Sequence, residues 1–225
     1  MARGSLIRRF ARWHIWLGWL AAIPLVLWTL SGLFMTLRPI DEVRGTALRA
    51  EAGPLDASRL VLPILTSPVS KLSLVSEVGQ PVWVVAFGHH DLARYSAANG
   101  KLLGPVERIE AQQLAEAAFA GEAKPTQIRR FAADQAPLDL RKDRPSWQAT
   151  FADETHVYID ADTGEVLALR TRFWRAFDFM WGLHIMDPMG RENTSHVLLW
   201  LLSGVALVSC LLGTTLLFRR RRKLS

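Results

Sequence analysis

Residues 15–37 read IWLGWLAAIPLVLWTLSGLFMTL, 23 residues without a charge. Residues 197–218 read VLLWLLSGVALVSCLLGTTLLF, 22 more. At ~1.5 Å rise per residue each makes a helix about 33 Å long, enough for a hydrocarbon core of roughly 30 Å. Both runs therefore read as transmembrane helices. The first is too long for the apolar core of a cleaved signal, and Leu37-Arg38-Pro39 is a poor cleavage site. Pro24 is tolerable there because neighbouring groups in a helix bundle satisfy the carbonyl it frees.

Charge follows the same division. The 225-residue chain carries 27 Lys+Arg and 21 Asp+Glu, a formal +6. Residues 1–14 hold Arg3, Arg8, Arg9 and Arg12 and no acid, and residues 219–225 hold four Arg and one Lys and no acid. The two ends thus carry +4 and +5, and everything between them carries −3. Basicity placed beside membrane spans is a topology signal and a contact for anionic lipid, so nucleic acid drops out as a partner. The bias predicts both ends in the cytoplasm of a bacterial inner membrane and the central domain in the periplasm. Trp13, Trp16, Trp19, Trp174, Trp181 and Trp200 gather near the expected boundaries, as interfacial aromatics do. The single cysteine, Cys210, falls inside the second span, so the outer domain has no disulfide and no thiolate metal site.

Between the spans the chain repeats itself at an offset of 64. PVWVVAFGHHDLARYSAANGKLL (81–103) aligns without gaps on PSWQATFADETHVYIDADTGEVL (145–167). Pro81, Trp83, Phe87, Ala97, Gly100 and Leu103 meet Pro145, Trp147, Phe151, Ala161, Gly164 and Leu167. Alternation in each copy reads as strands, and Asn99-Gly100 and Thr163-Gly164 read as hairpin turns. Short helical patterns begin at Asp56 and Glu110, which are 54 apart. The second copy should therefore hold about ten extra residues, placed at 135–144. Neither unit has much core alone, so the two should pack together. The expected fold is membrane α+β, with two transmembrane helices flanking a tandem of helix-plus-antiparallel-sheet units. The expected division is 1–14 basic N-terminus, 15–37 first span, 38–108 first unit, 109–172 second unit, 173–192 amphipathic aromatic segment, 193–218 second span and 219–225 basic tail.

VYIDADTGEVL (157–167), after a short helix, resembles a PepSY domain. The flanks resemble the PepSY-associated transmembrane family. Its first helix opens with a His followed by Gly, as in WHIWLG (13–18), and a Leu-His precedes its last helix, as in WGLHIMD (181–187). The resemblance covers most of the chain. Larger relatives carry a second pair of membrane helices, which this chain lacks. It implies two classes of function. The first is a b-type haem electron carrier or a component of a ferric-chelate (iron–siderophore) reductase. The second is a non-catalytic PepSY module that binds or inhibits a periplasmic partner such as a peptidase.

Six histidines bear on this choice. His14, His184 and His196 are the candidate haem b ligands, since neutral imidazole is a standard haem ligand. The bland alternative is an interfacial imidazole bonded to its surroundings. His14 and His196 lie at opposite ends of the spans, about 33 Å apart, and cannot share one iron. A two-fold dimer would bring His14 beside its own copy and restore the missing helix pair. Small residues at Gly18/Ala22 and Ser209/Gly213 offer faces for close helix approach. His89-His90 and His156 read as solvated turns, and so does the acidic group Asp160, Asp162 and Glu165, which lacks the twelve-residue Ca²⁺ loop. No P-loop, G-x-S-x-G, H-E-x-x-H or C-x-x-C motif is present.

Overall fold

A computed structural model describes residues 2–221 except 52, 89, 90 and 122. The chain divides into two compact units, one of residues 1–38 and 176–225, the other of residues 39–175.

The first unit is helical. α1 (Ala2–Met35) continues straight through Pro24, and α5 (Val197–Arg221) packs along it. Each contains a segment long and apolar enough to cross a membrane, Leu6–Met35 and Val197–Phe218. The aromatic segment ahead of α5 is also helical, as α4 (Arg172–His184). The Asp187 carboxylate ends it by accepting the N–H groups of Gly190, Glu192 and Asn193. Those bonds hold the Asp187 carboxyl below its usual range.

The second unit opens with α2 (Ile40–Val43) and then holds two four-stranded antiparallel sheets. The first is β1 (Lys71–Glu77), β2 (Gln80–Ala86), β3 (Leu92–Ser96) and β4 (Leu102–Leu103), in that order. The second is β5 (Gln127–Phe131), β6 (Ser146–Thr150), β7 (His156–Asp160) and β8 (Val166–Arg170), also in chain order. α3 (Arg108–Ala118) precedes it.

The sequence repeat returns bond for bond. Ala97 N–H donates to Pro81 O at 3.0 Å, and Ala161 N–H to Pro145 O at 2.9 Å. Val61 N–H meets Ala97 O at 2.8 Å, and Val106 N–H meets Ala161 O at 2.7 Å. The two matched tryptophans donate their indole N–H to those same valines, Trp83 to Val61 O and Trp147 to Val106 O. Gly100 and Gly164 turn the two hairpins with φ of 74° and 73°. The repeated residues are therefore the ones that fix hairpin and flank, and each tryptophan is kept for its donor as well as its area.

What differs between the copies lies before the second strand. β1 and β2 join through Val78-Gly79, both with positive φ, whereas β5 and β6 are joined by residues 132–145. The extra residues thus sit where the repeat arithmetic places them. They cover a face of the second sheet: Leu140 is fully buried against Tyr158 and Ala168. The other face takes α3, whose Ala111, Leu114 and Ala115 pack with Val157, Ile159 and Leu169. β7 is therefore buried on both sides.

The helix expected at Asp56 is not formed. Asp56 caps a single 3-10 turn, Ala57–Arg59, by accepting the Ser58 N–H at 2.9 Å. The segment from there to β1 contains Pro63 and Pro68, which leave no room for a helical turn. In the second unit the helix begins one turn earlier than Glu110. Glu107 is the cap, and Glu110 reaches back to its N–H at 3.4 Å.

Gly79 and Gly164 give a controlled comparison. Both need positive φ, but a Cβ at Gly79 meets nothing within 4 Å, while one at Gly164 would lie 2.7 Å from Glu77 Oε1. Gly164→Ala should lower stability by about 1–3 kcal/mol more than Gly79→Ala. Denaturant midpoints of the purified variants, followed by tryptophan fluorescence, check this. Equal losses would show that Gly164 serves the turn alone.

Candidate functional site

Two places concentrate chemistry, one in each unit. In the helical unit, His14 projects from α1 onto α5. Its Nδ1 lies 2.9 Å from the Ser209 carbonyl oxygen and 3.2 Å from Ser209 Oγ. The ring stands on Gly213, where a Cβ would come within 2.8 Å of it. His184, at the end of α4, repeats the arrangement on α1. Its Nδ1 meets Ser31 Oγ at 3.1 Å and the Trp28 carbonyl at 3.2 Å, and its ring stands on Gly32. Trp28 adds a ring contact with centroids 5.5 Å apart. A carbonyl oxygen only accepts, so in both residues Nδ1 carries a proton, and in the neutral ring Nε2 would keep the lone pair. Orientation of an imidazole through an Nδ1–H bond is how metal-ligating histidines are held.

His196 differs. It caps α5: Nε2 donates to Ile185 O at 2.9 Å and Nδ1 accepts the Leu199 N–H at 3.4 Å. Both ring nitrogens are engaged, so neither is left for an iron in this arrangement. The structure brings His196 to the backbone just after His184 and keeps His14 at the other end. Seventeen residues of α1 separate His14 from Ser31, roughly 25 Å of helix.

The donor chemistry of His14 and His184 is of the kind that would hold a haem iron. The void between α1 and α5, lined by Pro24, Trp28 and Leu199 among others, is only about 10 Å³. That void is too small to hold a macrocycle. The Ser209/Gly213 face expected to serve a dimer is already used within the chain by His14. Gly18 retains open space. Among the described residues no group of three or more His, Cys, Asp or Glu is close enough to hold a metal ion. His89 and His90 lie outside the described residues, as does 222–225 of the basic tail.

In the sheet unit, Arg94 of β3 is buried at 4% side-chain exposure between two carboxylates. It donates to both oxygens of Glu110 on α3 at 2.7 Å, to Glu77 Oε2 on β1 at 2.8 Å, and to the Gly104 carbonyl at 2.8 Å. Glu77 Oε1 is buried and has no hydrogen-bond partner among the described residues. Burial pushes the Glu77 carboxyl up to about 7; Arg94 pulls against this, while Glu110 and Glu165 add to it. Glu77 lines an open cleft of about 770 Å³.

A second buried network stands on the covered face of the second sheet. Asp139, from the 132–145 insertion, accepts the Tyr158 hydroxyl at 2.6 Å and His156 Nδ1–H at 3.0 Å. Gln148 donates to the Tyr158 oxygen. Burial would raise the Asp139 carboxyl, but these two donors outweigh it and hold it low. His156 is thus no solvated turn. It opens β7 and ties the insertion to the sheet. Asp160 is likewise buried, pairing with Arg144 at 2.7 Å and accepting the N–H groups of Asp162 and Thr163. Sequence spacing hid both because their partners come from the insertion.

These features define a two-helix membrane protein with an α+β domain between its spans. The chain belongs to the PepSY-associated TM region family, whose family model matches residues 11–225. No curated protein and no solved structure matches it.

The raised Glu77 carboxyl makes a signed prediction. Its native pKa of about 7 exceeds the ordinary 4.5 of a free glutamate, so the folded state binds the extra proton between those values. Its contribution to stability is full below pH 4.5 and is lost as pH rises through 7. Glu77→Gln should therefore gain on the wild type as pH goes from 5 to 8. Unfolding midpoints across that range test this, and a constant difference would exclude it.

Proposed function

We propose that the protein is a small electron-transfer component of an inner membrane, a dimer that would hold b-type haem near one or both membrane faces, His14 serving one end and His184 the other. The observation that supports this is the shared placement of the two imidazoles. Each donates Nδ1–H to a helix carbonyl and stands on a helix glycine, with Nε2 left as the basic nitrogen. An ionisable group held so deliberately within or beside a span is a functional candidate by default. The haem, when bound, would supply one-electron redox chemistry. The chain's part is to fix the tautomer, orient the rings and exclude water with the apolar faces of α1 and α5. His196 positions the start of α5 through its cap. Both basic ends would lie in the cytoplasm and the sheets in the periplasm, so that electrons from a cytoplasmic or quinone donor would pass outward to reduce a ferric chelate.

A second reading is favoured by one observation, the cleft in residues 39–175. Here the chain is a membrane-anchored module that binds a periplasmic protein, and the histidines are packing elements of the helix pair.

A reduced-minus-oxidised spectrum of the detergent-purified chain, expressed with ample haem, separates the two. The first reading expects a b-type Soret signal that His14→Ala and His184→Ala each at least halve. His196→Ala should retain the signal. An intact fold with no Soret band would leave the partner-binding module.

A further inference from the structure

β1 is the outer strand of the first sheet and pairs only with β2; β8 is the outer strand of the second and pairs only with β7. An outer strand presents a row of unpaired N–H and C=O groups along its free side. The end of β1 and the start of β8 line the same cleft. Residues 74–79, from β1 and its turn, and residues 164–167, from the turn into β8, line it in unbroken runs. Side chains of a strand alternate between faces, so unbroken runs mean that the cleft sees the strand edges as well as one face. The cleft volume of about 770 Å³ falls in the roughly 300–1,000 Å³ range of ligand-binding clefts.

The lining has two characters. Leu55, Leu74, Leu114 and Leu167 supply an apolar floor. Glu51, Glu77 and Glu165 line it, with Lys142 of opposite sign among the described residues. Glu77 is the most telling of these. Its side chain is 8% exposed, Arg94 satisfies one oxygen, and the other has no partner among the described residues. A buried acceptor left unpaired costs about 1–3 kcal/mol. At Gly164 the absence of a Cβ leaves room for that oxygen, 2.7 Å from where the Cβ would stand.

We propose that this cleft binds an extended polypeptide segment carrying a basic side chain, which adds to the free edge of β1 or β8 and sets its cation against Glu77. The backbone rows select an extended chain over a small cation, and the three carboxylates select the charge. The inference deepens the partner-binding reading by naming what the cleft takes. Arg94, Glu110 and Glu165 are the charged groups that act on Glu77, and Glu77 still titrates near neutrality. Binding of a cation should therefore strengthen as pH rises from 6 to 8.

The test is hydrogen exchange on the full chain in neutral detergent. The probes are an acetylated octapeptide of alternating Leu and Lys, its Leu–Glu counterpart, and N-acetyl-lysine amide. The Leu–Lys peptide should slow exchange at residues 71–78 and 164–170, more at pH 8 than at pH 6. Glu77→Gln should weaken its apparent affinity by about tenfold. Should that variant misfold, shown by lost protection in β6 and β7, the Glu51→Gln/Glu165→Gln pair serves in its place with a smaller loss expected. Equal protection by the Leu–Glu peptide or by N-acetyl-lysine amide overturns the proposal, as does indifference to the glutamate variants. Absence of protection at both edges also overturns it, and protection elsewhere in residues 39–175 would do so while leaving the partner-binding reading intact.

Discussion

The guanidinium of Arg94 is the point on which the sheet domain turns. It leaves β3, binds both oxygens of Glu110 on α3 and one of Glu77 on β1, and closes on the Gly104 carbonyl. Those contacts tie the first sheet to the helix that packs on the second. A buried cation is expensive unless its donors are met, and breaking such a pair leaves a charge stranded at roughly 3–5 kcal/mol. The cost enforces geometry: β1 and α3 must keep their distances from β3. The cleft inherits that geometry, because Glu77 forms part of its wall.

The repeat explains why so much of this domain was legible in sequence and where legibility ended. Pro81/Pro145, Trp83/Trp147, Ala97/Ala161 and Gly100/Gly164 are matched because each pair makes the same backbone or indole bond. Local chemistry at a fixed spacing leaves a trace that alignment finds. β1 and β5 escaped notice because they stand outside the repeat and at different offsets from it. Arg94, Glu77 and Glu110 escaped for another reason. Their meeting is set by sheet topology, and as single charges in a row of letters they look solvated. The arithmetic placed the insertion correctly but said nothing of its task, since Asp139 and Leu140 acquire meaning only against Tyr158.

The helical unit shows the same split. Uncharged length announced both spans, and the histidines drew attention by their position beside them. The glycines beneath those rings carried no signal. Ser209 and Gly213 read as a surface for another helix, yet they receive His14 of the same chain. Small residues permit close approach without naming what approaches, whether backbone or a flat ring.

One criterion sorts the polar groups of both units: how much hydrogen-bonding capacity is left. Asp139 uses both oxygens, Tyr158 donates and accepts, and His156 is locked to the carboxylate. The effect of that network is to fasten the insertion to the sheet. His196 is closed, with one nitrogen donating and the other accepting. His14 and His184 are half-used, each with Nδ1 committed to a carbonyl. Glu77 is half-used as well, with one oxygen on Arg94 and the other without a partner among the described residues. Folding alone favours closing every buried group, since an open one costs free energy without return. Among the described residues the half-used groups fall at the membrane histidines, at the cleft and at the buried Ser146 hydroxyl of β6.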